Sequence, residues 1–255
     1  METRLRIRRS TLILLAALAV WTWFHTMPQT MPAAPFNGHL LTPGQVSAAN
    51  PASGRGMTQA SDFLASEPTG WVDLMPKDSL QGWTRMTVPP GKVLDPVNQW
   101  KLDKENGTIL CEGNHGHEWL RYDHELADFL LHVEWRFEKR EGLKGYNSGV
   151  FVRNDREGRV WHQAQVGAQA YIFGQTLIHG ELSPMIKTPP HADSLHPIGE
   201  WNTYEIRCDG PKITLWVNGD LTGEFAVPEV STGYWGLEAE GYRIEFRNIK
   251  LKALP

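Results

Sequence analysis

The chain has 255 residues, 41% of them hydrophobic, and a net charge of −4. That is enough for one large domain or two small ones, and sandwiches of this length commonly form one. Four of the first ten residues are Arg against one Glu, so the remainder is more acidic than the total suggests. An acidic body without a basic stripe excludes nucleic acid as the expected partner and leaves a neutral saccharide compatible.

At the N-terminus, Arg4, Arg6, Arg8 and Arg9 precede an apolar stretch from Leu12 to Phe24. This has the flanks and length of a signal-peptide h-region and is short for a spanning helix. Residues 1–27 are therefore expected to be a signal peptide, or a signal anchor because no Ala-x-Ala site follows at the expected place. The expected location is extracytoplasmic, periplasmic or secreted, with membrane attachment through the N-terminus if the signal stays uncleaved. Residues 28–68, rich in Pro, Ala, Ser, Thr, Gly and Asn, read as a flexible linker. Residues 69–255 are the expected folded domain.

From Trp71 onward the chain reads as short strands separated by turn signals. Asn106-Gly107 precedes Thr108-Ile-Leu-Cys111, and Phe129 to Phe137 alternates apolar and polar residues over nine positions. Val150-Phe-Val152 follows Asn147-Ser-Gly149. Two further strands flank Asp209-Gly210, and Asn218-Gly219 marks a hairpin. No long amphipathic helix and no internal repeat interrupts this pattern. Many short strands with regular turns predict an all-β sandwich or barrel. The only cysteines, Cys111 and Cys208, each share strand parity with apolar neighbours, which suits buried thiols; an oxidising compartment would also permit a bridge.

Several of these segments, taken in order, resemble one family. They are Trp71-Val-Asp-Leu74 with Leu80-Gln-Gly-Trp83, Trp100-Lys-Leu-Asp103, Glu134-Trp-Arg136, Asn147-Ser-Gly-Val-Phe-Val-Arg153, Gly199-Glu-Trp-Asn202, Val217-Asn-Gly219, and Gly236-Leu-Glu-Ala-Glu-Gly241 with Phe246-Arg-Asn-Ile249. Together they resemble the bacterial 3-keto-disaccharide hydrolase domain over about residues 70–254. The resemblance implies a two-sheet antiparallel jelly roll of the concanavalin A-like type, with a concave face that holds sugar. It implies cleavage of a glycoside already oxidised to a ketone at carbon 3. Members of that family usually carry a Glu-x-Gln pair on a central strand; here Gln163 and Gln165 stand there. Glutamine binds hydroxyls but cannot exchange a proton as a carboxylate does, so a non-catalytic lectin-like module is the alternative function. The Glu-x-Asp-x-x-Glu arrangement of jelly-roll glucanases is absent from the sequence.

The implied chemistry needs a base for the proton on carbon 2, an acid for the leaving oxygen and support for the developing enolate. Strand parity places Glu134 and Arg136 opposite Leu131, Val133 and Trp135, and Glu238 and Glu240 opposite Leu237 and Ala239. Gln163, Gln165 and Trp161 share a face, as do Asn147 and Arg153. These groups are expected to converge on the concave surface. Glu134 or Glu238 would be the base, and Arg136 or Arg153 would support the enolate. Asn147, Trp161, Gln163, Gln165, Glu240 and His117 would hold the sugar. The competing expectation is that the acids and arginines form cross-strand ion pairs on a solvated face. No cofactor is expected. Even so, His115 and His117, two residues apart, would point one way on a strand and bind a metal with Glu118 or a distant carboxylate, whereas Gly116 suggests a turn. His179, His191 and His196 fall in a Pro-rich loop that reads as a lid or as solvated chain. Trp119 and Trp216 are further candidate sugar platforms.

Overall fold

The computed structural model describes residues 62–255; the expected export segment and most of the linker lie outside the described residues. Two antiparallel sheets make up the body, as the alternation predicts. The first has eight strands, in the order β15 (Asp220–Ala226), β14 (Lys212–Val217), β13 (Asn202–Asp209), β6 (Phe129–Phe137), β17 (Ile244–Ala253), β4 (Thr108–Cys111) and β3 (Trp100–Asp103), with β1 (Trp71–Asp73) also paired to β17. The second has seven, in the order β12 (Ile186–Lys187), β9 (Ile172–Gln175), β8 (Trp161–Gly167), β7 (Asn147–Asn154), β16 (Tyr234–Ala239), β5 (Glu118–Tyr122) and β2 (Trp83–Thr87). A small hairpin joins β10 (Leu177–Ile178) to β11 (Glu181–Leu182). The fold is a jelly-roll β-sandwich. Among the described residues no helix is long and apolar enough to cross a membrane.

Period-2 alternation builds the core between the sheets. Leu131, Val133 and Trp135 of β6 and Tyr204 and Ile206 of β13 meet Val150 and Val152 of β7, Ala164 and Val166 of β8, and Trp235 and Leu237 of β16. Fully burying one such aliphatic side chain contributes about 1.5–3 kcal/mol, and the large aromatics add directional edge-to-face contacts such as Trp135 with Tyr204. Cys111 and Cys208 are free and buried in the first sheet, and burial pushes both thiols up to about 12.

The linker expectation needs one correction at its end. Residues 63–66 form a single helical turn, α1 (Phe63–Ser66), in which Asp62 accepts a hydrogen bond from the Ala65 N–H. Phe63 is buried edge-on against Trp216, and its N–H donates to Glu205 at 2.9 Å. Polar composition hid this anchor because a single aromatic supplies the docking. The same contact takes Trp216 out of the set of sugar platforms, since its ring packs on α1 at the first sheet.

The two sheets differ on the faces turned away from the core. Along β6 the outward residues Glu134 and Arg136 are half-buried, whereas Leu130 and His132 on the same face are buried. On the second sheet the outward positions are as buried as the core: Trp119, Phe151, Gln163 and Glu238 are each 3% exposed or less. An antiparallel sheet with one wet face shows alternating burial; the loss of alternation on β5, β7, β8 and β16 marks a hollow on this face.

Candidate functional site

The hollow is centred on Glu238. The Leu237–Val150 pair of β16 and β7 turns Leu237 into the core and the next residue outward. One oxygen of Glu238 lies 2.8 Å from His117 Nε2, and the other accepts a hydrogen bond from Gln163 Nε2 at 2.7 Å. Gln163 belongs to β8 and Glu238 to β16, so their side chains meet across the intervening β7. Gly149 permits this: a Cβ there would stand 2.6 Å from Gln163 Cγ. Gly236 is required by β5 itself: an added Cβ would meet the Leu120 carbonyl oxygen first and Trp119 Cε3 at 2.6 Å. Trp119 then lies over β16, edge-on to Phe151 with centroids 5.4 Å apart.

Glu240 completes the site. Ligating atoms of His117, Glu238 and Glu240 all lie within 4.8 Å of one another. Burial and the neighbouring Glu238 charge push the Glu240 carboxyl up to about 7, with His117 opposing. The imidazole of His117 is pulled down by burial, but the Glu238 hydrogen bond and the charges of Glu238 and Glu240 outweigh this and leave it raised. Two acids therefore share one imidazole, and one acid keeps a proton affinity near neutrality. Such a set can carry a proton to or from a bound molecule. Its donor atoms would also suit a divalent cation.

Beside the acids, Gln165 Nε2 donates to Asn147 Oδ1 at 2.5 Å and to the Ser148 carbonyl at 3.1 Å. The structure thus brings together His117, Asn147, Trp161, Gln163, Gln165, Glu238 and Glu240. Phe173, the register partner of Gln163 on β9, packs its ring against Trp161. Sequence reasoning missed Phe173 and Tyr171 because β9 is only four residues long, although Tyr171-Ile-Phe173 carries the outward parity.

Three expected residues do not join them. Glu134 and Arg136 have the predicted parity but belong to the first sheet, on its outward face. Glu134 accepts hydrogen bonds from Arg247 and Asn248, each at 2.7 Å, and Arg136 donates to Glu245 at 2.5 Å. These are the cross-strand ion pairs of the competing expectation; β17 supplies each partner. Hydrogen bonding from His132, and then from Asn248 and Arg247, holds the Glu134 carboxyl down at about 2 against the effect of burial. Arg153 departs for another reason. Its φ of 54° breaks the alternation of β7, and the fully buried guanidinium donates to the Val230 carbonyl and Asp128 at 2.6 and 2.5 Å. It ties loops together and does not reach the hollow.

The histidine pair also separates. Gly116, with φ of 93°, reverses the chain between His115 and His117. His115 lies 3.7 Å from Asp95, while Glu118 pairs with Arg85 at 2.7 Å. A cation in this structure would be held by His117, Glu238 and Glu240, not by His115, His117 and Glu118. In the Pro-rich loop, the His179 N–H is bound by Glu229, His191 bridges to Ala170, and His196 contacts the Trp201 carbonyl at 2.7 Å. A separate cavity of about 470 Å³ is lined by residues 139–146 with Ala168 and Ile198, and none of the site side chains lines it.

Solved structures are similar to this one to different degrees. A Parabacteroides distasonis protein provisionally described as a glycosyl hydrolase is 16% identical, with a TM-score of 0.51 over 75% of this chain and 97% of that one. A carbohydrate-binding module of Bacillus subtilis is 16% identical, with a TM-score of 0.48 over 68% and 96%. A β-glucanase of Bacillus licheniformis is 12% identical, with a TM-score of 0.49 over 72% and 97%. No curated protein sequence matches the chain. The sequence profile of the 3-keto-alpha-glucoside-1,2-lyase-like domain matches residues 70–252, almost the whole described body, and the protein belongs to that carbohydrate-related family.

Proposed function

We propose that the protein is an exported enzyme that cleaves 3-keto-glycosides by elimination followed by hydration, and that it works without a metal or other cofactor. The observation that carries this reading is the pair of acids, Glu238 and Glu240, sharing His117 in one hollow of the second sheet. Glu240 is assigned as the proton carrier. A carboxyl at about 7 is matched to proton transfer near neutral pH, whereas Glu238 is occupied by His117 and Gln163. In the first step the C2–H proton passes to the Glu240 carboxylate, and its electron pair forms an enolate with the carbon-3 oxygen. The charged imidazole of His117 is placed to support that oxyanion. Collapse of the enolate then breaks the C1–O bond, and the proton on Glu240 leaves with the departing oxygen. Water adds at C1 and a proton returns to C2, so the net change is hydrolysis with no redox step. Glu238 fixes His117, and Gln163 fixes Glu238, so the glutamine at the family's Glu position keeps a carboxylate 2.7 Å away.

The test is release of free 3-keto sugar from a 3-keto-glycoside. Glu240→Gln should lower kcat/KM by roughly 10²–10⁴-fold, the usual contribution of a positioned proton carrier. Turnover unchanged in Glu240→Gln and in Glu238→Gln would reject the assignment. A second reading, a lectin-like binding module, draws on Gln163 itself, since an amide binds hydroxyls without exchanging protons. Calorimetry with oxidised and unoxidised sugars separates the two: equal binding without product supports the module.

A further inference from the structure

Next to the acids, the outward face of the second sheet changes character. Gln163 pairs with Phe173 across β8 and β9, and neighbouring strands are about 4.8 Å apart. Phe173 therefore lies one strand beyond the amide that binds Glu238. Trp161 meets Phe173 at 88° with centroids 5.1 Å apart, and Phe151 meets Trp161 at 86° and 6.4 Å. Tyr171 sits against Phe173 at 5.3 Å, and the Lys187 ammonium caps its ring at 3.9 Å. Trp161, Phe173 and Tyr171 all keep part of their surface open while Phe151 is buried. The result is a corner of aromatic faces and edges with a closed apolar floor.

The carboxamides beside that corner are committed to protein partners. The Gln163 amide is engaged by Glu238, Gln165 by Asn147 and Ser148, and Gln175 by the Ser183 carbonyl at 3.0 Å. A second sugar would reach the Lys187 ammonium and the Tyr171 hydroxyl on one side, but hydroxyls turned onto the Trp161 and Phe173 rings would find no partner, and unpaired hydroxyls are costly there. A flat apolar ring loses nothing there and gains edge-to-face contacts.

We propose that Trp161, Phe173 and Tyr171 form the leaving-group subsite and that it takes an aromatic aglycone, so that the substrate class is an aryl 3-keto-glycoside in preference to a 3-keto-disaccharide. The inference rests on the 3-keto-glycoside reading above and refines it. The chemistry agrees: a phenol ionises near a pH of about 10, so a phenolate departs from C1 with less need of an acid than a sugar alkoxide, and Glu240 returns the proton it took from C2.

The experiment compares kcat/KM for a phenyl 3-keto-glucoside and a 3-keto-glucosyl disaccharide, in wild type, Phe173→Ala and Phe173→Leu. The expected result is a wild-type preference for the phenyl substrate. Phe173→Ala should lower turnover of that substrate on the order of tenfold and that of the disaccharide by distinctly less. Phe173→Leu, which keeps apolar volume, controls for folding and should fall between. Equal losses on both substrates, or a preference for the disaccharide, would overturn the proposal and indicate a sugar platform. If neither substrate turns over, the catalytic reading fails separately, and calorimetry with phenyl and methyl 3-keto-glucosides decides the subsite. Tighter phenyl binding that Phe173→Ala abolishes supports it; equal binding of the two overturns it.

Discussion

Replacing Glu240 by Gln should make the protein more stable at high pH while removing its activity. Burial and the Glu238 charge move this carboxyl from 4.5 to about 7. A raised carboxyl pKa means that the folded state binds the proton more tightly than the unfolded chain. The stability associated with that proton is complete below about pH 4.5 and is lost as pH rises to about 7. The full shift corresponds to on the order of 3 kcal/mol at one pKa unit per 1.36 kcal/mol. Partial exposure of Glu240 and relaxation around its neighbours cut this to about 1–2 kcal/mol. A neutral glutamine avoids the loss. For a body of this size, 1 kcal/mol moves Tm by about 2–4 °C, so Glu240→Gln should melt several degrees above wild type at pH 8. At pH 4 the two should coincide, because both side chains are then uncharged. Thermal unfolding by circular dichroism across pH 4–8 reads this directly. An unchanged or lowered Tm at pH 8 would refute the claim that the acid pair is held against its own repulsion.

Other perturbations separate the hollow from the rest of the surface. Gly149→Ala should push the Gln163 side chain off Glu238, lowering kcat/KM at least tenfold while circular dichroism shows the sandwich intact; full activity would mean that the Gln163–Glu238 bond is dispensable. Glu134→Gln should leave kcat/KM unchanged and flatten the acid limb of stability. The depressed carboxyl contributes above about pH 4.5 and loses that contribution as pH falls toward about 2, so urea midpoints of variant and wild type should converge at pH 2–3. Dialysis against a chelator should leave turnover unchanged. A loss restored by Mn²⁺ or Zn²⁺ would instead make His117, Glu238 and Glu240 metal ligands.

Strand parity carried much of the site and failed where parity has no information. Alternation alone turned Glu238, Glu240, Gln163, Gln165 and Trp161 away from Leu237, Ala239, Ala164 and Val166, and the structure has them so. Parity gives the side of a strand but not the sheet to which the strand belongs. Glu134 was correctly placed outward and still lies on the other exterior, because β6 pairs with β13 and β17. Arg153 shows a different limit. A positive φ at a non-glycine residue reverses alternation locally, and no propensity marks it beforehand. The role of Gly149 was hidden for a third reason: it is defined by the Gln163 side chain, which passes over it from a neighbouring strand.

The two exteriors show how the same residue types serve different ends. On the first sheet every acid considered has an opposite charge beside it: Glu134 has Arg247, Glu245 has Arg136, and the two guanidinium groups stack on Trp201 at 3.8 and 4.6 Å. Such pairing lowers the free energy of the folded state a little and leaves no proton ready to move. In the second sheet Glu238 and Glu240 share a single half-open imidazole, so acids outnumber bases around a buried Glu238 and a partly buried Glu240. Groups held in this way cost stability, and they are the ones whose proton affinities fall within reach of neutral pH. Gly149 deepens the cost, since it gives up packing so that the Gln163 side chain can cross its strand. A sheet serving only as scaffold would gain by filling position 149 and by pairing Glu240 with an arginine, as the opposite sheet does with its own acids. Retaining the imbalance is favourable only if something entering the hollow uses it. An electrophilic carbonyl with an acidic neighbouring C–H is the kind of group that a poised carboxyl and an adjacent imidazolium are arranged to meet.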